Sequence, residues 1–208
     1  MISLTVLAIC AVAVVLGQGP LEVTVFYESH CPACQNFIDD QLAVAHDRFR
    51  DKILVDIVPF GNAQQRWEKN KVVISCQHGA KECLGNKLHA CAIHQLCGES
   101  GTVSCAQEQL THVINYISCV KKSQDQQQMS NQCALAEGMD PDKLMECATS
   151  YQGRNLLSQY GVQTTDFIPR VTYTPYVAIN RKHNEAAENN LLRVICELRP
   201  EWCSPSAT

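Results

Sequence analysis

The apolar positions change their spacing three times along the chain. Residues 21–27, LEVTVFY, are an unbroken run of β-branched and aromatic side chains, which predicts a buried strand. Next, Cys34, Phe37, Ile38, Leu42, Ala45 and Phe49 recur at intervals of three or four, the signature of a helix with one buried face. Pro32 suits that helix's first turn, where its missing N–H costs nothing. KILVDIVPF, residues 52–60, predicts a second strand, and strand, helix and parallel strand make a βαβ unit. From about 62 to 161 the pattern becomes mainly helical, with helices expected at 80–96 and 104–120. A further helix opens in MDPDKLMEC, with Asp140 as N-cap and Pro141 at the first helical position. KVVIS, residues 71–75, reads as a short strand, and glutamine-rich KKSQDQQQ, residues 121–128, as a solvated loop. Gly161 is expected to stop a helix. Beyond it PYVAIN is a strand beginning at a proline, NRKHN turns the chain, and an amphipathic helix closes it. Trp67 and Trp202 are expected to pack, and Tyr27 and Glu28 to be packing and solvent residues.

Composition narrows the class. The 208 residues are 46% hydrophobic with a net charge of -4, which suits one globular domain and excludes the basic footprint of a nucleic-acid binder. Residues 2–16 are apolar and end at Gly17-Gln-Gly-Pro20, too short to span a bilayer but suited to a signal peptide over residues 1–19. The mature domain is then 20–208, with no later run apolar enough to cross a membrane. Of thirteen cysteines, Cys10 leaves with the signal. Apart from Cys31 and Cys34, ten remain: Cys76, Cys83, Cys91, Cys97, Cys105, Cys119, Cys133, Cys147, Cys196 and Cys203. So many thiols point to an oxidising compartment and a disulfide framework, whose connectivity spacing alone does not give.

Cys31-Pro-Ala-Cys34 stands where the first strand meets the first helix. A CxxC at a helix start within a βαβ unit is a thioredoxin-like arrangement, so the fold class expected is α/β, thioredoxin-like, with a disulfide-rich, mainly helical insertion at about 62–161. On that fold the Thr174–Pro175 bond is expected to be cis, facing the dithiol and turning the Thr174 backbone toward an extended substrate segment. The helix start favours a thiolate at Cys31 as nucleophile, leaving Cys34, one turn deeper, as resolving thiol. Two other readings stay open: a plain structural bridge, and a zinc half-site completed from Cys76, His78, Cys83 or His89. His30 either tunes the thiolate by its charge or is an exposed loop residue. His46, His94, His112 and His183 show no ligand spacing.

Residues 76–91, CQHGAKECLGNKLHAC, match C-Q-H-G-x2-E-C-x2-N-x4-C letter for letter. With the CxxC, VPFGNAQ at 58–64, MECA at 145–148 and PYVAIN, the chain resembles the gamma-interferon-inducible lysosomal thiol reductase family over almost its whole mature length. The resemblance implies a thiol reductase of the endo-lysosomal or extracellular space, acting on disulfide-bonded proteins and linked to their degradation and to immune defence. Cys31 and Cys34 match the family's redox pair, the signature cysteines look structural, and no catalytic role carries over to Gln77 or His78. A small-molecule thiol is the expected reductant, with no metal or cofactor. At pH 5 an unshifted thiol would be only about 0.03% thiolate, so such an enzyme needs a lowered Cys31 pKa. Cys97–Cys105 and Cys196–Cys203 look like local pairs. The sequence lacks any N-x-[ST] sequon, so glycan-tagged lysosomal sorting is not expected. An oxidase or isomerase, and a disulfide-stapled binding protein without activity, remain as alternatives.

Overall fold

A computed structural model describes residues 19–99, 101–123 and 125–204; the expected signal peptide lies outside these apart from Gly19. Strand β1 (Leu21–Tyr27) pairs in parallel with β2 (Ile53–Pro59) and antiparallel with β5 (Tyr176–Ile179), which pairs with β6 (Lys182–His183). The sheet order is therefore β2-β1-β5-β6. β1 reads as a continuous apolar run because both its faces are covered. Leu21, Val23, Val25 and Tyr27 enter the main core, while Phe26 turns the other way against Val58, Val171 and Tyr176. The outer edge of β2 is occupied where the Ile57 N–H donates to Thr102 Oγ1 at 2.8 Å, which blunts an otherwise open strand edge.

The crossover between β1 and β2 is one continuous helical rod: α1 (Pro32–Phe37), a π-helical turn (Ile38–Leu42) and α2 (Ala43–Phe49). All six positions of the three-to-four pattern, Cys34 through Phe49, are buried. Each large apolar side chain there contributes about 1.5–3 kcal/mol. After β2 comes a hairpin, β3 (Gln64–Glu68) and β4 (Lys71–Ser75), whose two-residue turn at Lys69 and Asn70 has positive φ at both positions, as a tight hairpin requires. Helices α3 (Ala80–Cys97), α4 (Gln107–Val120), α5 (Gln126–Ala136), α6 (Pro141–Thr149) and α7 (Tyr151–Asp166) follow. Asp140 caps α6, accepting from Asp142 and Lys143 N–H groups with Pro141 in the first turn. After β6, α8 (Glu185–Asn189) and α9 (Leu191–Leu198) replace the single helix expected, divided at Asn190, which caps α9 by accepting from the Arg193 N–H.

Three local expectations are overturned. Gly161 does not end a helix but lies inside α7. A Cβ there would come within 2.7 Å of both Phe60 Cε2 and Gln65 Oε1, so the glycine permits close approach of α7 to the chain after β2. KKSQDQQQ is not a solvated loop throughout. Asp125 caps α5 by accepting from the Gln128 N–H, and Gln126 is buried. Trp67 does not pack; it is 77% exposed on the β3–β4 hairpin.

The ten cysteines form five bridges. Cys76–Cys83, Cys97–Cys105 and Cys196–Cys203 are local, Cys119–Cys133 joins α4 to α5, and Cys91–Cys147 joins α3 to α6. Their loops differ greatly in length, with sequence separations of 56 for Cys91–Cys147 and 8 for Cys97–Cys105. Chain-entropy arithmetic assigns the first about 4 kcal/mol and the second about 2.5 kcal/mol. Replacing each pair by alanine and measuring denaturant unfolding should give losses in that order; equal losses would contradict the cross-linking account. Gly161→Ala should cost about 1–3 kcal/mol although alanine is the better helix former. A stabilised variant would show that Phe60 and Gln65 are not held against α7.

Candidate active site

The first helix is built to present Cys31. Its backbone is extended (φ -87°, ψ 114°) and it caps α1, with Sγ accepting the Cys34 N–H at 3.2 Å and Pro32 in the first turn. The preceding turn closes with the Cys31 N–H donating to the Glu28 carbonyl at 3.4 Å. Cys31 is 8% exposed and Cys34 fully buried, and the two sulfurs are joined. A sulfur at this position meets an otherwise unpaired N–H and the positive end of the helix, both of which favour the thiolate once the bond is reduced.

The loop before β5 supplies the other wall. Thr174–Pro175 is cis, and the Thr174 carbonyl oxygen lies 3.8 Å from Cys31 Sγ, so the dithiol and the proline loop meet as expected. Ile168–Pro169, which local sequence did not single out, is also cis. Glu188 steadies the loop from behind, accepting from the Val177 N–H at 3.2 Å and from the Tyr173 hydroxyl at 3.0 Å. Two depressions flank the cysteines. One, of about 400 Å³, lies between Ala33, Asn36 and Asp40 on one side and Tyr173, Thr174 and Pro175 on the other. The second, of about 250 Å³, is lined by His30, Cys31, Pro32, Gln35 and Lys122. A larger hollow of about 470 Å³ between α3 and α6 borders the Cys91–Cys147 bridge and lies apart from this chemistry.

The signature residues converge on the turn that carries Cys31. Cys76–Cys83 closes a bend in which Gly79 has φ +84°. Gln77 accepts from Asn62 Nδ2 at 2.8 Å, while the Asn62 N–H donates to Glu28 Oε1 at 2.6 Å. The His78 N–H donates to Glu82 Oε1 at 3.0 Å, and its ring Nδ1 is hydrogen-bonded to Glu82 Oε2 and lies 3.6 Å from Glu28 Oε2. Ser29 is held three ways: its N–H by Asn86 Oδ1 at 2.8 Å, its hydroxyl by the Glu82 carbonyl at 3.1 Å, and its carbonyl by Gln126 Nε2 at 2.6 Å. Glu28 is therefore not a solvent residue. It is 1% exposed, a carboxyl enclosed by partners more than thirty residues away in sequence. Burial, with Glu82 beside it, pushes the Glu28 pKa above the usual carboxylate value against the opposing Asn62 N–H. The hydrogen bond its ring donates to Glu82 raises the His78 pKa.

His30 borders the smaller cleft and burial holds its pKa below 6.5. Behind the cleft, Lys121 puts Nζ 5.8 Å over the Tyr27 ring without a hydrogen-bond partner among the described residues, and burial pulls its pKa to about 7. Sequence spacing offered no sign of that buried lysine. The Tyr27 hydroxyl pairs with His89 Nδ1 at 2.9 Å, and burial lowers the His89 pKa to about 3. Completion of a zinc half-site at Cys31 and Cys34 by Cys76 or Cys83 is overturned, because those two cysteines are joined to each other. His46, His112 and His183 are engaged separately by Thr111, Glu137 and Glu188.

Comparison with known proteins agrees with this geometry. Residues 22–137 match the family model described as gamma interferon inducible lysosomal thiol reductase. The chain is 32% identical over 187 residues to a gamma-interferon-inducible lysosomal thiol reductase-like protein of Anopheles gambiae, covering 88% of this chain and 76% of that one. It is 31% identical to GILT-like protein 1 of Drosophila melanogaster over 198 residues, 90% of this chain and 78% of that one. The mouse gamma-interferon-inducible lysosomal thiol reductase is 29% identical over 195 residues, 90% and 73% of the two chains. Among solved structures, Chlamydia trachomatis DsbA superposes with a TM-score of 0.60 at 15% identity, covering 89% of this chain and 88% of that one. Bacillus subtilis BdbD gives 0.57 at 15% identity, covering 87% and 88%. Both likenesses support the thioredoxin-like fold. With the family matched over more than half the chain and a dithiol seated at a helix start, the protein belongs to the gamma-interferon-inducible lysosomal thiol reductase family and is a thiol–disulfide oxidoreductase.

Proposed function

We propose that the chain reduces protein disulfides with Cys31 as the attacking thiolate and Cys34 as the resolving thiol. One observation carries the division of labour. Cys31 Sγ accepts the Cys34 N–H at the helix start and borders a cleft, whereas Cys34 is wholly buried. The Cys31 thiolate attacks one sulfur of the substrate bridge, forming a mixed disulfide and expelling the other sulfur as a thiolate that takes a proton. Cys34, deprotonated, then attacks Cys31, and the second substrate thiol leaves. Two electrons pass to the substrate, and the enzyme is left with its Cys31–Cys34 bond. Two equivalents of a small-molecule thiol restore the dithiol and depart as one disulfide. No step requires a metal or an organic cofactor.

The groove beside Thr174 and Pro175 suits an extended substrate segment, with the Thr174 backbone available for strand-like pairing. Reduction rather than oxidation follows from the family's reductase character, and the likeness to DsbA bears on fold alone. Which way electrons run is read from the reduction potential, since about 30 mV separates tenfold differences in equilibrium constant for a two-electron couple. The endo-lysosomal or extracellular space fits the disulfide-rich chain and the signal-like residues 2–16. Among the described residues no helix is long and apolar enough to cross a membrane.

Cys34→Ser should accumulate disulfide-linked substrate adducts that disappear on adding reductant, while Cys31→Ser should form none and lose activity. A folded Cys34→Ser that captures nothing from a disulfide-bonded protein under mild acid would sink the reductase reading. Modest, equal stability losses without capture would favour a structural bridge instead.

A further inference from the structure

Two carboxyl groups sit inside the protein beside the turn that carries Cys31. Glu28 directly follows strand β1, in the turn that leads to Cys31, and is 1% exposed; Glu82, on the first turn of α3, is wholly buried. One carboxyl oxygen from each and a ring nitrogen of His78 lie within 4.8 Å of one another. Both address the His78 ring, Glu82 through a direct hydrogen bond and Glu28 at 3.6 Å. Like charges this close cannot both be carried away from water, so one carboxyl keeps its proton. One carboxylate, one carboxyl and one imidazolium then make a neutral group.

That group touches both walls of the active site. The Glu28 carbonyl accepts the Cys31 N–H, and the Glu82 carbonyl accepts the Ser29 hydroxyl. A Cβ on Gly61 would meet Glu28 Cγ at 2.3 Å and Thr174 Cγ2 at 2.9 Å, so the Glu28 side chain and the proline loop press on the same glycine. Building on the assignment of Cys31 as attacking thiolate, we propose that Glu28, His78 and Glu82 are positioning residues for the dithiol. They hold the 28–31 turn in its attacking geometry while the carboxyl pair keeps one proton, and release it when that proton leaves.

The surrounding charges leave this proton as the variable. His30 faces Glu82 from the turn itself, with Lys81 beside it on α3, and burial keeps the His30 pKa low. Thr174 faces the pair uncharged from the proline loop, and Asn62 offers only its N–H. Tyr27 and His89, behind the turn, are held neutral by burial, and the buried Lys121 bears on His89. The Glu28 pKa is raised above 4.5 and the His78 pKa above 6.5. A group whose folded pKa is raised contributes fully below its unfolded value and loses that contribution as pH rises through the folded one. Both groups therefore hold the turn best in acid and loosen it as the pH rises. Thiolate chemistry alone runs the opposite way, because the Cys31 thiolate fraction only grows with pH.

Glu28→Gln separates the two, since the amide keeps the shape and a donor to Glu82 but has no proton to lose. Initial rates of reduction of a disulfide-bonded protein are measured from pH 4.5 to 8 for both forms. The ratio of variant to wild type should climb several-fold between pH 5 and 7; a constant ratio overturns the proposal. Should the variant not fold, carbon-13 titration of the glutamate carboxyls in the wild-type protein decides. One carboxyl titrating well above 4.5, with the Ser29 and Cys31 amide resonances moving at the same midpoint, supports it. Both carboxyls titrating near 4.5, or amides that stay still, overturn it. Capture of substrate by Cys34→Ser reports on the dithiol separately. Capture together with a constant Glu28→Gln ratio would leave the reductase assignment standing and this one refuted.

Discussion

The Cys34 N–H points at the Cys31 sulfur from 3.2 Å, and the rest of the site depends on keeping it there. A helix start leaves N–H groups without partners, and a cysteine in the capping position gives one of them a sulfur. That contact needs the chain to turn sharply between the end of β1 and Pro32. A four-residue turn closed by one bond at 3.4 Å is a weak anchor by itself. The structure compensates by tying the side chains and amides of Glu28 and Ser29 to groups from three other parts of the chain.

This gives the family signature a physical meaning. Its cysteines brace the bend before α3 and the α3–α6 contact, its Gln77 fixes Asn62, its His78 and Glu82 enclose Glu28, and its Asn86 takes the Ser29 N–H. Each net hydrogen bond contributes only about 0.5–1.5 kcal/mol, but leaving any of these buried groups unpaired would cost about 1–3 kcal/mol. The signature thus reads as a clamp on the residues preceding the dithiol. The disulfides that brace it can remain oxidised while Cys31 and Cys34 cycle, because they sit in the helical region and not at the cleft.

Much of this was legible in the sequence, and the remainder was hidden for identifiable reasons. The βαβ unit and the helix face from Cys34 to Phe49 follow from periodicity, since one sheet and one core impose them directly. The local bridges Cys97–Cys105 and Cys196–Cys203 follow from proximity along the chain. By contrast, α5 carries little apolar periodicity. It is held by Gln126 on Ser29, Ser130 on Tyr116 and the Cys119–Cys133 bridge, all of them tertiary contacts. Gly161 was misread because its reason is contact with Phe60, not the end of a helix. Glu28 was misread because a carboxylate is normally exposed, and its enclosing partners come from residues 62, 78 and 82. Trp67 was misread because the hairpin that carries it leaves the ring in solvent.

On the proposed mechanism the clamped turn makes Cys31 a thiolate where an ordinary cysteine would be a thiol. The direct measurement is the pH dependence of Cys31 alkylation by iodoacetamide in the fully folded, reduced protein, with modification located by mass spectrometry. The account predicts a midpoint well below the ordinary value of about 8.5, in the range of roughly 3.5–7 found for CxxC cysteines at helix starts, with Cys34 unreactive. A midpoint near about 8.5, or equal reactivity of the two cysteines, would contradict it.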